Sequence, residues 1–477
     1  MSKFITIFFI ALYVYTVLST ISVLLLENRN PAKSFSWMLI ILFLPVIGLL
    51  LYITFGQDLR KQKIISRKSL HNLPERVIAP FDITEVEQLL NNLEKCQKNL
   101  IKLLYKNSEA IAYPANKIQV YPDGESAFDA FFDAIREAKN HIHIEFYILS
   151  NDKISQQLKE LLIQKSHEGV RVRVIYDYIG SLNLSRKYIK SLTKAGVYVR
   201  PFLPLRLRIF RSRINYRDHR KIMIIDGEIG FTGGMNIADR YIKGNRLGKW
   251  RDNFVRFEGA VVHGLQRLFL ADWYFVEGKL ITDTKYYPQP ENFNTNNLIQ
   301  IVSSGPDTDW ESIMQGIALA IMTASKYVYI QSPYYMPPEL IECCIQIASL
   351  SGVDVRLMIP TRSDSIIAIK STSSYLGKIL EAGVKVYYYK TGFLHSKALV
   401  IDDMISIVGS CNIDYRSFTQ NFEANAFIYE KETAIQLKEL FIKDIQQCEE
   451  MTLEKWANRS KFQKMEESFS RLFSPIL

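Results

Sequence analysis

The feature that most constrains the fold of this chain is a duplicated motif. One copy, with the pattern His-x-Lys-x4-Asp, runs from His219 to Asp226 and is followed by a Gly-x-x-Asn tail from Gly233 to Asn236. The second copy runs from His395 to Asp402, and its tail runs from Gly409 to Asn412. By chance, a single copy is expected in on the order of a few per cent of chains this long. Two copies with matching tails therefore indicate two versions of one structural unit.

The segments around the motifs are duplicated as well. In each half a predicted helix leads into a predicted strand, from His141 to Ile148 in the first half and from Tyr327 to Tyr334 in the second. Short apolar strands that alternate with helices predict an α/β fold with a mostly parallel sheet in each half. We therefore expect two α/β lobes related by a pseudo-twofold axis, at residues 116–290 and 291–477, with both motifs at their shared face.

The N-terminus carries two apolar runs. The first, from Phe4 to Leu26, would form about 34 Å of helix, which is enough to cross a bilayer. A secretory signal peptide has a shorter apolar region and a small-residue cleavage site, and this run has neither feature. The second run, from Phe35 to Phe55, is interrupted by Pro45 and Gly48, which membrane helices tolerate. The sequence thus predicts a two-helix transmembrane hairpin at residues 1–56 rather than buried core helices.

A basic cluster after the hairpin predicts the orientation in the membrane. It consists of Arg60, Lys61, Lys63, Arg67 and Lys68. Positive residues beside a crossing favour the cytoplasmic side. We therefore expect a multi-pass protein of the cell membrane whose N-terminus and lobes are cytoplasmic. The rest of residues 57–115 is predicted to be a helical connector, because leucines recur at helical spacing from Glu85 to Leu104.

The composition narrows the class of partner. The 477-residue chain has a formal net charge of +10, which favours an anionic partner, either nucleic acid or an anionic lipid surface. Its five cysteines show no Cys-x-x-Cys spacing. We therefore expect free thiols in a reducing compartment rather than a metal site.

The residue types of the motif suit phosphoryl transfer. In each copy the histidine and the lysine share one face of an extended chain. An imidazole can act as a nucleophile or as a proton carrier. The lysine and the asparagine of each copy, Lys221 with Asn236 and Lys397 with Asn412, can donate to phosphate oxygens. No acidic cluster with metal-ligand spacing competes for the role, so we infer phosphoryl transfer without a metal or another cofactor.

These motifs identify a family resemblance. The chain resembles the phospholipase D superfamily and, within it, the bacterial membrane-anchored cardiolipin synthases. The resemblance covers nearly the whole chain. Besides the two motifs it rests on Glu27–Pro31, Trp37, Pro45–Gly48, His143–Tyr147, Asn215–His219, Trp250–Asp252, Asn421–Asn425 and Ser474–Leu477.

The resemblance implies a transfer in two steps. One histidine would attack the phosphorus of phosphatidylglycerol and form a phosphatidyl-histidine intermediate. The other would protonate the departing glycerol and then deprotonate a second phosphatidylglycerol, which gives cardiolipin. By this resemblance His219 is the nucleophile and His395 the acid and base, although which histidine attacks stays open because the copies are nearly symmetric. Asp252 and Glu423 match by position the acids that orient each imidazole in relatives.

The candidate site thus has three classes of residue. The catalytic set is the motif itself: His219, Lys221, Asp226, His395, Lys397 and Asp402. Within it, the two aspartates are expected to brace the fold rather than to touch the substrate. Asn236 and Asn412 are the expected substrate-binding residues, and Asp252 and Glu423 the supporting acids.

A basic stretch before the first motif suggests a further contact with lipid. Arg206, Arg208, Arg211, Arg213 and Arg217 are interleaved with Leu205, Leu207, Ile209 and Phe210. We favour an interfacial element that grips anionic lipid over a solvated charged loop, because the chain is already tethered to a membrane.

Other functions remain open at this stage. The same motifs could support a phospholipase D that hydrolyses lipid, or a phosphatidyltransferase that uses another alcohol such as serine, since the choice of acceptor depends on the pocket. A nuclease would not explain the hairpin, so we expect no nucleic-acid partner. A scaffold with degenerate motifs is disfavoured because both copies are intact. The sequence does not indicate an oligomeric state.

Overall fold

The computed structural model describes residues 2–26, 31–52, 83–204, 215–291, 293–475 and 477. The chain forms two compact units, one of residues 1–61 with 205–216 and one of residues 62–204 with 217–477. Two predicted features lie outside the described residues, namely the basic cluster at residues 60–68 and the arginines at residues 206–213.

The N-terminal unit contains three described helices, α1 (Ser2–Leu26), α2 (Pro31–Phe43) and α3 (Pro45–Leu51). Within α1, the 20 residues Lys3–Ser22 are long and apolar enough to cross a membrane, with a mean hydropathy of 2.2. The second apolar run is broken between α2 and α3, because Pro45 has no N–H to donate to the preceding turn. Its end, from residue 53 onwards, lies outside the described residues.

The helices of this unit pack on one another through a small apolar cluster. Val17 from α1, Ile41 from α2 and Tyr52 after α3 are buried together, with Trp37 packed against them. The Tyr13 hydroxyl on α1 also donates to a carbonyl of α2 at 3.1 Å. Elsewhere α1 keeps most of its apolar side chains exposed, as a helix in contact with lipid requires.

The second unit begins with the helical connector. It contains α4 (Ile83–Asn92) and α5 (Lys95–Ser108). Leu100, Ile101 and Leu104 on α5 are buried in the core of the second half of the chain, so the connector is part of the folded body. Residues 57–82 of the predicted connector lie outside the described part.

The first half of the body forms a seven-stranded sheet flanked by helices, in the order β2-β10-β8-β7-β3-β4-β5. Its helices begin at side-chain caps: Asp123, Asp152 and Ser185 each accept from a backbone N–H three residues further on. The elements are β1 (Ala112–Pro114), β2 (Lys117–Tyr121), α6 (Gly124–Glu137), β3 (His141–Phe146), α7 (Lys153–His167), β4 (Arg171–Asp177), α8 (Arg186–Lys194), β5 (Tyr198–Phe202), β6 (Arg217–Asp218), β7 (Lys221–Ile225), β8 (Ile229–Gly233), α9 (Arg240–Lys243), β9 (Lys249–Arg251), β10 (Phe254–Glu258) and α10 (Val262–Glu277).

The second half builds a larger sheet along the path β1-β11-β20-β18-β17-β12-β14-β15-β21. The seven strands on this path from β11 across to β15 are arranged in the same order as the seven strands of the first sheet, from β2 across to β5. The elements are β11 (Leu298–Ser304), α11 (Ser312–Met322), β12 (Tyr327–Gln331), β13 (Tyr335–Met336), α12 (Glu339–Leu350), β14 (Asp354–Pro360), α13 (Ile366–Glu381), β15 (Lys385–Tyr389), β16 (Gly392–Leu394), β17 (Ala398–Ile401), β18 (Ile405–Gly409), β19 (Ile413–Asp414), α14 (Tyr415–Thr419), β20 (Asn421–Tyr429), α15 (Lys431–Ile445), β21 (Cys448–Met451), α16 (Leu453–Ala457) and α17 (Lys461–Arg471).

The expectation of mostly parallel sheets is wrong, because both sheets are mixed. In the first, β3 pairs in parallel with β4, and β4 with β5, whereas β7, β8, β10 and β2 pair antiparallel. The physical reason is a tight turn after each motif strand. Asp226 and Gly227 both have positive φ, 57° and 75°, and the following N–H of Glu228 donates back to Ile225 at 3.0 Å. Such a turn reverses the strand into a hairpin.

The two halves of the body are joined by short parallel strand pairs. β6 of the first half pairs with β20 of the second, and β16 of the second half pairs with β9 of the first. Arg217 lies in β6, only 2% exposed, with its guanidinium 3.5 Å from Asp177. Its predicted place in a lipid-gripping stretch is therefore wrong, because the strand pairing buries it between the halves.

Candidate active site

Each motif histidine follows one of the strands that cross between the halves. The His219 N–H donates to the Phe422 carbonyl at 2.9 Å, and the His395 N–H donates to the Arg251 carbonyl at 2.7 Å. In both cases the next residue on the opposite strand is an acid. The backbone pairing therefore brings each imidazole next to a carboxylate that belongs to the other half of the chain.

His219 is paired with Glu423. Its Nδ1 lies 2.9 and 3.0 Å from the two carboxylate oxygens. The Glu423 carboxylate is fully buried and also accepts from Ser410 Oγ at 2.5 Å and from Asn421 Nδ2 at 3.2 Å. With Nδ1–H donated to Glu423, the imidazole keeps Nε2 free for chemistry.

The charges around this pair favour a neutral imidazole beside an ionised acid. Burial would raise the pKa of Glu423, but His219, Lys221 and Ser410 together hold it below its usual value. Burial lowers the pKa of His219 to about 4, against the opposing effect of Glu423. At neutral pH the pair therefore holds no proton beyond the one on the imidazole Nδ1.

His395 is paired with Asp252. Its Nδ1 lies 2.6 Å from Asp252 Oδ2, while Lys397 Nζ and the Tyr241 hydroxyl lie 2.9 and 3.4 Å from the same nitrogen. Because one ring nitrogen carries at most one proton, the short contact to the carboxylate is the hydrogen bond that fits a donated Nδ1–H. The second oxygen, Oδ1, accepts from the Asn253 N–H at 2.8 Å.

The charges around this second pair differ from those around the first. Burial raises the pKa of Asp252 to about 7, although Lys397 opposes the shift. Burial, together with Lys397, lowers the pKa of His395 well below its ordinary value. The two groups share one hydrogen bond and titrate together. Near neutral pH, a fraction of the His395–Asp252 pairs therefore carries one proton more than the His219–Glu423 pair does. Glu423 has hydroxyl and amide donors that stabilise its charge, whereas among the described residues only the His395 imidazole forms a side-chain hydrogen bond with Asp252.

The two motif lysines are buried beside the histidines. Lys221 Nζ donates to the His219 carbonyl at 2.5 Å, and Lys397 Nζ donates to the His395 carbonyl. Burial lowers the pKa of Lys221 to about 7 and that of Lys397 to about 8. Each lysine is close enough to the other, and to Glu423, for their charges to interact. The site thus gathers two ammonium groups and two imidazoles, a set that suits a phosphate anion.

The two tail asparagines occupy different surroundings. Asn236 donates to the Tyr241 hydroxyl at 3.0 Å and accepts from the Ile148 N–H at 3.1 Å, so Tyr241 stands between it and His395. The buried Oδ1 of Asn412 has no hydrogen-bond partner among the described residues. Of the two, Asn412 is therefore the one with an unpaired atom, and this amide oxygen can accept a hydrogen bond but cannot donate one.

The motif aspartates lie away from the histidines, at the far ends of β7 and β17. Asp226 accepts from three successive backbone N–H groups at residues 139–141, each at 2.7 Å. Asp402 accepts from residues 325–327 at 2.6 to 2.8 Å. Both carboxylates therefore fix the chain before β3 and β12. We correct their inclusion in the catalytic set, since their oxygens are committed to backbone donors about a strand length from the imidazoles.

Sequence reasoning missed the side chains that shape the site around the motifs. Tyr147 packs edge-on against His219 with ring centroids 5.0 Å apart, and Trp250 lies 5.0 Å from His395. Gly234 leaves space for Asp252, because a Cβ at this position would lie 2.2 Å from its Oδ1. At the corresponding place in the second tail stands Ser410, which donates to Glu423. The small residue after the first glycine of each Gly-x-x-Asn tail could have indicated a closely packed neighbour, but only the fold shows which acid each tail faces.

The described residues contain no group of three or more histidine, cysteine, aspartate or glutamate side chains that could hold a metal ion. All five cysteines are free.

Comparison with known proteins identifies the family. The family model described as "Cardiolipin synthase, PLD-like domain" matches residues 131–273 and 317–445, and the phospholipase D-nuclease N-terminal model matches residues 11–57. A cardiolipin synthase of Oceanobacillus iheyensis is 39% identical, over 98% of this chain and 98% of its own length. The major cardiolipin synthase of Bacillus subtilis is 38% identical, again over 98% of both chains.

A solved structure shares the fold. The crystal structure of a phosphatidylserine synthase from Haemophilus influenzae superposes with a TM-score of 0.62 at 14% sequence identity, covering 80% of this chain and 100% of that one. The resemblance inferred from the motifs is therefore confirmed. The chain belongs to the cardiolipin synthases, the membrane-associated phosphatidyltransferases of the phospholipase D superfamily.

Proposed function

We propose that this enzyme joins two phosphatidylglycerol molecules into cardiolipin and glycerol through a phosphatidyl-histidine intermediate. In the first step the Nε2 of one histidine attacks the phosphorus, the bond from phosphorus to the glycerol oxygen breaks, and the other histidine protonates that oxygen. In the second step a glycerol hydroxyl of another phosphatidylglycerol gives its proton to the second histidine and attacks the phosphorus, and the phosphorus–nitrogen bond breaks. The observation that carries the proposal is the pair of imidazoles, each held by a buried carboxylate from the other half.

We assign His219 as the nucleophile and His395 as the acid and base. The two carboxylates support this order. The pKa of Glu423 is held low, so its pair presents a neutral imidazole, which is the form that attacks. Burial raises the pKa of Asp252 to about 7, so its pair retains a proton near neutral pH that His395 can deliver to the departing glycerol.

The surrounding donors bind the phosphate in this proposal. Lys221 and Lys397 supply positive charge to the non-bridging oxygens as negative charge develops on them. Asn412 offers its unpaired amide oxygen, which can accept from a hydroxyl of the glycerol headgroup. Asn236 acts through Tyr241, which lies against His395. Asp252 and Glu423 orient the imidazoles from behind and do not touch the lipid.

The arrangement in the membrane is also a proposal. α1 would cross the bilayer, and α2 with α3 would return, so that both the N-terminus and the catalytic body are cytoplasmic. The matching strand orders support two lobes related by a pseudo-twofold axis at residues 116–290 and 291–477, after a hairpin at 1–56 and a connector at 57–115. A nuclease would not need the N-terminal membrane hairpin, so we expect anionic phospholipid rather than nucleic acid as the partner.

The decisive experiment supplies phosphatidylglycerol as the sole substrate. We expect purified full-length enzyme in vesicles to release cardiolipin and glycerol in equal amounts. Phosphatidic acid as the sole product would instead indicate a hydrolase.

A trapping experiment tests the roles of the two histidines. Phosphatidylglycerol labelled in its acyl chains should leave label on wild-type protein after rapid denaturation. His219→Ala should lose this label and His395→Ala should keep some of it, whereas both variants should lose nearly all cardiolipin formation. Label retained by His219→Ala and lost by His395→Ala would reverse the assignment.

A further inference from the structure

The C-terminal helix α17 is attached to the body by its polar side. Glu467 and Ser470 on this helix, and Ser474 just after it, are buried. Glu467 pairs with the Arg459 guanidinium, and Ser474 Oγ lies 2.8 Å from Ser371 Oγ on α13. A helix on the surface of a soluble protein normally buries its apolar side, so this orientation is inverted.

The opposite side of α17 is apolar and exposed. Phe462, Met465, Phe469 and Leu472 are 66%, 63%, 62% and 72% exposed. They are spaced three or four residues apart and therefore lie on one side of the helix. Large apolar side chains grouped on a surface mark a place where another apolar phase covers the protein.

A second exposed apolar pair extends this surface towards the active site. Ile366 and Ile367, at the start of α13, are 72% and 45% exposed. Asp364, just before them, accepts from the Tyr334 hydroxyl at 2.6 Å and is close enough to Lys397 and Tyr147 to act on their charges. These isoleucines therefore border the site.

Contacts along α13 hold the helix in this position. Lys370 and Glu466 form an ion pair at 2.9 Å, and the Arg471 guanidinium stacks over Tyr375 at 4.1 Å. Beyond the helix, the Pro475 carbonyl accepts from Gln420, three residues before Glu423. The exposed side chains on α17 and those at the start of α13 thus lie on two helices that pack together, and we call them the outer apolar face (Phe462, Met465, Phe469, Leu472, Ile366 and Ile367).

We propose that the outer apolar face is the surface by which the catalytic body docks on an anionic bilayer, so that the diacylglycerol part of a substrate passes between membrane and site without crossing water. This inference rests on the proposed lipid substrate. Lys461, at the start of α17, is exposed and suits anionic headgroups. Because α17 turns its polar side to the body, its apolar side chains stay exposed instead of packing on the body. A lipid bilayer supplies the apolar surroundings that they lack.

The first test compares substrate in two physical states, using full-length enzyme in phosphatidylcholine vesicles. The variant Phe462→Ser/Phe469→Ser/Leu472→Ser should lose at least about tenfold of its rate on long-chain phosphatidylglycerol in the bilayer, because it buries fewer apolar groups there. Its rate on short-chain phosphatidylglycerol, added below its micelle concentration, should stay within about twofold. The control is Ile347→Ser/Leu350→Ser, which removes two other exposed apolar side chains on α12, of which Leu350 lies beside the far end of α13. Equal rates of variant and wild type on bilayer substrate would overturn the proposal, and so would an equal loss on both substrates.

The second test does not depend on turnover. In a Cys343→Ser background, which removes the exposed native thiol, a polarity-sensitive fluorophore is attached at Phe469→Cys or at the control position Leu350→Cys. We expect a blue-shifted emission at position 469 that nitroxide-labelled lipid quenches, with little of either effect at position 350. A blue shift without quenching would mean that protein, such as a second copy of the chain, covers the face, and would overturn the proposal. Quenching at 469 in an enzyme that makes no cardiolipin would instead keep the docking surface and reject the proposed reaction.

Discussion

Replacing Glu423 with glutamine tests whether His219 depends on the carboxylate that the other half of the chain supplies. The substitution keeps the size of the side chain and removes its charge. Glu423 accepts from His219 Nδ1, from Ser410 Oγ at 2.5 Å and from Asn421 Nδ2 at 3.2 Å. An amide has one acceptor oxygen and one donor NH₂ group, so it cannot serve all of these donors.

The size of the effect follows from the tautomer of the imidazole. If the amide NH₂ faces His219, the imidazole proton moves from Nδ1 to Nε2, and the nitrogen that should attack phosphorus is blocked. If the amide oxygen faces His219, the charge that supports the positive imidazole during transfer is still lost. The comparable change in a histidine-based triad costs about 10⁴-fold in rate. We expect Glu423→Gln to lose about 10³- to 10⁴-fold in kcat, or about 4 to 5.5 kcal/mol of barrier.

The assay is the rate of cardiolipin formation from phosphatidylglycerol vesicles at saturating substrate. The control is Glu342→Gln, which neutralises another buried acid in the second half, one that is paired with Lys378 instead of a histidine. The control should keep nearly full kcat. A Glu423→Gln enzyme within tenfold of wild type would refute the role of the carboxylate that the contacts indicate.

Three further results are expected. Transfer should follow a bell-shaped pH profile in kcat/KM. Burial lowers the pKa of Lys221 to about 7 and that of Lys397 to about 8, so the charges that bind the phosphate are lost one after the other as the pH rises through these values. Burial also lowers the pKa of His219 to about 4, so the nucleophile is protonated as the pH falls towards that value. A flat profile from pH 5 to 9 with rate-limiting chemistry would contradict this account. Asp402→Asn should cost about 1.5 to 3 kcal/mol in a denaturant titration, because a charged acceptor of backbone N–H groups is lost, while kcat per folded molecule stays unchanged. Gly234→Ala should lower the transfer rate about a hundredfold by displacing Asp252, and an unaltered rate would show that the acid has room to move.

Much of the chemistry of the site could be predicted from the sequence. His219, Lys221, His395 and Lys397 carry a specific pattern that occurs twice, and the structure brings these residues together. The aspartate of the motif belongs to the same pattern but, as expected from the sequence, it braces the fold. Asp226 stands in a tight turn and caps the backbone before β3, so its fixed spacing from the histidine reflects the length of a strand rather than a catalytic contact.

The sheet topology was only partly predictable. Alternating strands and helices correctly indicate the parallel pairs around β4 and β14, but the turns after β7 and β17 produce antiparallel hairpins that the pattern of apolar residues does not distinguish. In the N-terminal unit, the sequence predicted that Pro45 interrupts the second apolar run, and the run is divided there into two helices.

The sequence indicated Asp252 and Glu423 as the acids that orient the imidazoles, but it could not predict which histidine each acid faces. Asp252 and Glu423 each follow the histidine of their own half in sequence, and spacing alone does not say which imidazole they face. The answer depends on β6 and β16, strands of two and three residues, which are too short to carry a periodic signal. Only long-range backbone pairing decides it.

Because each histidine is paired with a carboxylate from the other half of the chain, the site cannot be complete until both halves have been synthesised. The ribosome completes His219 long before it reaches Glu423, and Asp252 long before His395. A nascent chain in the membrane therefore exposes a reactive histidine without the acid that orients it, and it lacks the second histidine as well. On the proposed mechanism, the N-terminal half alone therefore cannot form a phosphatidyl intermediate and release it to water. The site is complete only once β16 and β20, which the second half supplies, pair with the first half.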